Sequence, residues 1–152
     1  MNVSEGSPSL EITSGDWAGW SLTEGDPFNA HVGPFYHKGE RETLVCAMRV
    51  APHHLNGGGS LHGGALATFA DWSLFVFAGL TGDSDAVTIG LNCDYVGAAP
   101  LGGQLSCRGE VIRETGSMIF LRGLITCEES PIMAFSGVLK KIRRSNPRTL
   151  AL

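Results

Sequence analysis

The chain has little charge and few of the residues that mark disulfide, metal or membrane proteins. Only 17% of its residues are charged, and eleven basic against fifteen acidic residues give a net charge of −4, which disfavours nucleic-acid binding. The four cysteines form no CxxC pair, so we predict free thiols in a reducing compartment and no metal site. No basic and apolar leader begins the chain, and no apolar run is long enough for a membrane span. These absences favour a cytoplasmic protein.

What the chain does contain is apolar residues and glycine. A hydrophobic content of 43% over 152 residues is enough for the core of one domain, and 21 glycines predict many turns. We expect residues 1–32 to be a partly ordered lead-in with a short helix near Asp16–Leu22. Residues 33–142 are predicted to form the domain, and residues 143–152 a frayed tail.

The spacing of apolar residues predicts two strands, one long helix and four further strands. Short turns between consecutive strands favour antiparallel pairing. We therefore predict an α+β fold of order β-β-α-β-β-β-β, in which one antiparallel sheet wraps around one long buried helix. The predicted strands are Pro34–His37, Glu42–Val50, Ala86–Tyr95, Gln104–Arg113, Met118–Glu128 and Ile132–Ile142.

The predicted helix carries one carboxylate, Asp71, in the middle of the apolar stretch Gly63–Leu80. A carboxylate is rarely buried without a partner, because removing its charge from water costs several kcal/mol or more. A glycine-rich loop with polar side chains, His54–His62, lies just upstream. The acid and the loop together are a candidate site, although Asp71 is also compatible with a structural pairing to Ser73 or to a partner chain.

Two other chemical interpretations of the loop are weaker. Gly57–Ser60 lacks the Lys-Ser/Thr ending of a phosphate-binding loop and does not open a βαβ unit. The adjacent His53 and His54 are more typical of a solvated loop than of a metal site.

The chain resembles the hotdog-fold thioesterases, specifically the PaaI-like acyl-CoA thioesterase group. The resemblance covers about residues 33–142 and includes the buried helix. Two spaced motifs carry it, namely Asn56-x5-His62-Gly63-Gly64-x6-Asp71 on the loop and helix, and Thr88-x6-Tyr95 on the following strand.

The resemblance implies a role for each matching residue. Asp71 would be the nucleophile or general base, and the backbone N–H of Gly63 would bind the thioester oxygen. Asn56 would hold the attacking water or the thioester. His62 is a further candidate for the catalytic group, acting either by direct proton transfer or by orienting the loop or bonding to the backbone. Thr88 would come from the partner subunit to orient the water or the carboxylate.

The resemblance also implies an acyl-CoA substrate, no cofactor, and an assembly that is at least a homodimer, with a homotetramer expected. Gly64, Arg113 and Ser117 are predicted to bind substrate. The basic segment 140–148 would either meet coenzyme A phosphates or be a solvated run of charge. Alternatives stay open here, since Asn56 also suits a turn and Thr88 also suits an ordinary strand.

The geometry of a helix bears on these roles. A helix N-terminus offers free N–H groups and the positive end of the dipole, and Gly63 exposes them without a side chain. Asp71 lies about two turns further on, roughly 12 Å along the axis. The two groups therefore cannot meet within one helix, and we predict a site between subunits. A non-catalytic acyl-CoA binding protein and a hotdog hydratase or dehydratase are the alternative functions.

Overall fold

A computed structural model describes residues 9–80 and 86–142 of the chain. These residues form eight strands, two α-helices and two single-turn 3-10 helices at Arg41–Thr43 and Pro52–His54. The strands are β1 (Ser9–Glu11), β2 (Ser21–Thr23), β3 (Tyr36–Lys38), β4 (Val45–Arg49), β5 (Ala86–Tyr95), β6 (Gln104–Glu114), β7 (Met118–Cys127) and β8 (Ser130–Lys141), and the helices are α1 (Pro27–Val32) and α2 (Gly63–Phe77).

The eight strands form one antiparallel sheet, in the order β1-β2-β3-β4-β6-β7-β8-β5. The first strand after α2, β5, therefore crosses to the far edge of the sheet, where β8 is its one neighbour among the described strands. The predicted hotdog fold, a sheet curved around one long helix, is confirmed.

The core lies between α2 and the inner face of the sheet. Phe69 and Leu74 of α2 are fully buried against strand residues such as Leu121 and Leu139. Gly137 of β8 allows this close packing, because a Cβ at that position would lie 2.3 Å from Leu74 Cδ1. The side of α2 that carries Asp71 is only half-buried.

The first residues differ from the expectation. The short helix predicted near Asp16–Leu22 is wrong, because this stretch is a turn that leads into β2. Gly15 and Gly19 adopt left-handed conformations with φ of 79° and 83°, which close a hairpin rather than a helix. Ile12 N–H donates to Trp20 O at 2.8 Å across that hairpin.

The hairpin strands β1 and β2 extend the sheet beyond β3, upstream of residue 33. The strand predicted from Glu42 begins only at Val45, since Arg41 has a φ of 52° and starts a 3-10 turn. The polar turn predicted at Thr81–Asp85 and the tail predicted at 143–152 lie outside the described residues.

Candidate active site

Asp71 is held by a threonine of its own chain. The Thr88 hydroxyl donates to Asp71 Oδ1 at 2.6 Å, and the pair is partly buried. The expectation that Thr88 reaches the carboxylate from a partner subunit is therefore wrong for this contact. The alternative pairing with Ser73 is wrong as well, because the Ser73 hydroxyl donates to Phe69 O at 2.8 Å. Among residues 9–80 and 86–142, no second donor approaches the Asp71 carboxylate, so Oδ2 stays available.

The edge strand β5 positions Thr88 beneath α2. Thr88 lies just before a β-bulge between Thr88 and Gly90, where the register with β8 shifts. Such a bulge re-aims the side chains that flank it. Further along the strand, Cys93 is near the carboxylate, but its pKa is raised by burial and then by the charges of Asp94 and Asp71. The thiol therefore stays protonated at neutral pH and is a poor nucleophile.

The second group of polar atoms is at the start of α2. His62 caps the helix, and its Nδ1 accepts the Gly64 N–H at 2.8 Å. Gly64 therefore has no free N–H to offer a substrate. The Gly63 N–H has no acceptor within the described part of the chain. It is a free donor at the positive end of a 15-residue helix.

Tyr95 fixes the backbone of Gly63, a role that the motif spacing did not reveal. The Tyr95 hydroxyl donates to Gly63 O at 2.8 Å. A Cβ on residue 63 would lie 3.1 Å from Tyr95 Cε1, which is tighter than ordinary packing. A side chain at residue 63 would therefore require the Tyr95 ring or the helix start to shift by a few tenths of an ångström. Tyr95 ends the Thr88-x6-Tyr95 motif, but that spacing does not predict its contact with Gly63.

Asn56 uses its side chain within its own loop. Its Oδ1 accepts the N–H groups of Gly58 at 2.9 Å and Ser60 at 3.2 Å, while its Nδ2 lies 3.3 Å from Ser60 Oγ. This arrangement matches the turn alternative. Contact of Asn56 with water or thioester stays a prediction.

The structure does not bring all the predicted residues together. Thr88 contacts Asp71, whereas Asn56, His62, Gly63 and Gly64 belong to the loop and the start of α2. Arg113 and Ser117 are exposed at the β6–β7 turn, away from both groups. Ser117 lines a separate cavity beside Lys141, whose Nζ is paired with Glu114 Oε1 at 2.6 Å.

Asp71 faces a cavity of about 670 Å³, a size that suits small-molecule ligands. One wall comes from α2 and β5 and is mostly apolar. The opposite wall is the segment 23–29 at the end of β2 and the start of α1. The lining residues are Thr23, Glu24, Gly25, Asp26, Pro27, Phe28, Asn29, Ala67, Thr68, Asp71, Trp72, Phe75, Leu80 and Leu91.

A second cavity of about 630 Å³ lies beside the start of α2. Four of the five histidines of the chain line it, together with Gly64. Two of them hold α1 in place, since Nε2 of His53 lies 3.1 Å from Gly33 O and Nε2 of His54 contacts Val32 O. The lining residues are Phe28, His31, Val32, His53, His54, Leu55, His62, Gly64, Ala65 and Thr68.

His54 is the most enclosed of these histidines. Its Nδ1 accepts the Ala51 N–H at 2.9 Å, and burial lowers its pKa, with its backbone hydrogen bonds opposing that shift in part. His54 is thus a structural group, which differs from the solvated loop predicted for it. Among residues 9–80 and 86–142, no three His, Cys, Asp or Glu side chains are grouped to hold a metal ion. No helix in the same residues has the length and hydropathy needed to cross a bilayer.

The chain is similar in sequence to known proteins. The sequence profile of the thioesterase superfamily matches residues 58–134, which include Gly63, Asp71 and Thr88. A Pseudomonas aeruginosa protein with a provisional assignment as an esterase is 31% identical over 120 residues, covering 77% of this chain and 90% of that protein.

Two further proteins are similar to the chain, the first in sequence and the second in fold. Acyl-coenzyme A thioesterase 13 of Mus musculus is 30% identical over 81 residues, which is 52% of this chain and 57% of that protein. A mutant of the phenylacetic acid degradation protein PaaI from Thermus thermophilus superposes with a TM-score of 0.66 at 25% identity. That superposition covers 77% of this chain and all of the other.

Proposed function

The chain belongs to the thioesterase superfamily, and from this membership we propose that it hydrolyses acyl-CoA thioesters to a free acid and coenzyme A. The observation that carries the proposal is the Asp71–Thr88 pair beside a cavity with one mostly apolar wall. A family relative named as an acyl-coenzyme A thioesterase supports the choice of substrate.

Asp71 is the proposed reactive group. Its Oδ1 accepts the Thr88 hydroxyl, which fixes the orientation of the carboxylate and leaves Oδ2 to act. Oδ2 either attacks the thioester carbonyl carbon, giving an anhydride that water then cleaves, or takes a proton from a water that attacks the same carbon. In both routes the C–S bond breaks and the sulfur leaves as the coenzyme A thiol.

The Gly63 N–H is the proposed oxyanion donor. A tetrahedral intermediate places negative charge on the former carbonyl oxygen, and a backbone N–H at a helix start stabilises such a charge. His62 contributes by engaging the neighbouring Gly64 N–H, and Tyr95 contributes by holding the Gly63 carbonyl. We assign Asn56 to the water or thioester, and Gly64, Arg113 and Ser117 to the outer parts of the substrate.

A second copy of the chain completes the proposed site. Gly63 and Asp71 are separated by about 12 Å along α2, too far for one carbonyl group to meet both in one helix. Among the described strands, the ten-residue edge strand β5 has one unpaired side, which can join another copy. We propose a homodimer as the working unit, a homotetramer as the assembly and the cytoplasm as its location, where the free cysteines of the described chain stay reduced.

Replacement of Asp71 tests the function. We expect Asp71→Asn to keep the fold and to lower kcat on the order of a hundredfold or more, measured as thiol release with a thiol-reactive dye. Glu42→Gln is the control, because Glu42 is an exposed acid in the turn Arg41–Thr43, outside the cavity and away from β5.

Three results would point elsewhere. Undiminished turnover by Asp71→Asn across several acyl-CoAs would remove Asp71 from the chemistry. Tight acyl-CoA binding without thiol release would favour the binding protein. Addition of water to an enoyl-CoA without thiol release would favour the hydratase.

A further inference from the structure

The cavity of Asp71 and the histidine-lined cavity meet at one pair of residues. Phe28 and Thr68 are the only residues shared by the two linings. Thr68 is on α2, and its hydroxyl donates to Gly64 O at 2.9 Å, so its side chain is fixed to the helix. Phe28 faces it from α1. The two side chains therefore form a partition between two cavities that lie along the same helix.

Phe28 is held in place by the backbone of α1 rather than by packing. Its side chain is 60% exposed, and no residue of α1 is buried. Asp26 caps the helix start by accepting the Asn29 N–H at 3.0 Å. At the helix end, His53 and His54 contact the carbonyl groups of Val32 and Gly33. An aromatic ring this exposed contributes little to the core, so its position calls for another explanation.

We propose that Phe28 sets the length of the acyl group that this protein accepts, an inference that rests on the proposed thioesterase function. An acyl chain that starts beside Asp71 and runs along α2 toward Thr68 ends at the Phe28 ring. The second cavity lies directly behind that ring. Phe28 thus acts as a specificity-determining residue, upstream of the residues that the superfamily profile matches.

The charge around the cavity defines the class of acyl group. Three carboxylates, those of Glu24, Asp26 and Asp71, line it, and no Lys, Arg or His is found among its described lining residues. Carboxylates repel a second negative charge over these distances. The acyl group that fits is therefore uncharged, and straight-chain acyl thioesters are the appropriate probes.

The test is a series of straight-chain acyl-CoAs of increasing length, with kcat/KM measured for the native protein and for Phe28→Ala, Phe28→Trp and Leu10→Ala. Each methylene that is buried raises kcat/KM by about fourfold at most. We expect the native series to rise to an optimum and then level off or fall. Phe28→Ala should move that optimum to longer chains, and Phe28→Trp should move it to shorter chains. Leu10→Ala, which removes a comparably exposed apolar side chain outside both cavities, should leave the optimum in place.

Binding of non-hydrolysable S-alkyl-CoA thioethers, measured by calorimetry, separates this inference from the proposed function. A shift of the preferred alkyl length in Phe28→Ala supports the role of Phe28, whether or not thioesters are hydrolysed. If that shift is seen and no thioester is hydrolysed, only the thioesterase function is overturned. Thioester hydrolysis with the same preferred length in the native protein and both Phe28 variants would overturn the inference and leave the function intact. Absence of binding at every length would overturn the inference as well.

Discussion

Thr88→Val removes one hydroxyl and little else, so it isolates the contact that holds Asp71. The side chains have nearly the same shape, and the lost interaction is the 2.6 Å hydrogen bond to Asp71 Oδ1. A hydrogen bond to a charged group contributes about 1.5–3 kcal/mol. Because the pair is only partly buried, water replaces part of that bond, and we expect a stability loss of about 1 kcal/mol. For a chain of this size, that loss lowers Tm by about 2–4 °C.

The effect on turnover should be larger than the effect on stability. Without the hydroxyl, the Asp71 carboxylate rotates freely, and fewer of its orientations direct Oδ2 at the carbonyl carbon or at a water. We expect kcat to fall by about ten- to a hundredfold, equivalent to roughly 1.4–2.8 kcal/mol of transition-state stabilisation, with KM little changed. Thr88→Ser keeps a hydroxyl and should recover most of the activity.

The assay is thiol release at saturating acyl-CoA, with melting curves recorded on the same samples. Thr126→Val is the matched control, since Thr126 is a half-buried strand threonine on β7, away from Asp71. A folded Thr88→Val protein with native kcat would refute the reasoning and make Thr88 an ordinary strand residue. A Thr88→Ser protein as slow as Thr88→Val would show that the hydroxyl is not the cause.

Two further predictions concern the start of α2 and the histidine beneath α1. Gly63→Ala places a Cβ 3.1 Å from Tyr95 Cε1, so the Tyr95 ring or the helix start must shift by a few tenths of an ångström, and we expect thiol-release assays to show kcat reduced about tenfold; native kcat in that variant would show that this contact does not position the catalytic N–H. Burial lowers the pKa of His54 in the folded protein, so the unfolded chain binds more protons as the pH falls below about 6.5, and stability is lost in that range. Urea unfolding at pH 7.5 and pH 5.5 should therefore show a larger drop in the free energy of unfolding for the native protein than for His54→Gln, and equal drops would disprove the link.

The sequence predicts the large elements well because each repeats a pattern over many residues. β5 has the predicted limits, Ala86–Tyr95, and β6 and β7 each differ from prediction by one residue. The helix stops where Gly79 adopts a φ of 70°, as a glycine C-terminal to a helix predicts. In contrast, β1, β2 and α1 are three to six residues long, too short to show a period.

Only part of the candidate site could be predicted from the sequence. Motif spacing identifies Asp71 and Thr88, but spacing cannot show whether a side chain acts within its own subunit or in the next. It also could not show that Tyr95 packs on Gly63, because that contact depends on how β5 passes the start of α2. Phe28 carries no motif at all, and only the shape of the two cavities gives it a role.

Helix α1 lies on the surface of the domain, and this affects how the sequence of such a protein can change. Because none of its residues is buried and only Val32 packs against the core, substitutions at the other positions remove almost no core contact and leave the fold's stability margin intact. Gly137 has no such latitude, since a Cβ there would lie 2.3 Å from Leu74 Cδ1 on the helix. Mutations can therefore accumulate on the element that bounds the acyl cavity while α2 and β5 stay constant. A lineage that carries this arrangement can change its substrates without first acquiring compensating stability.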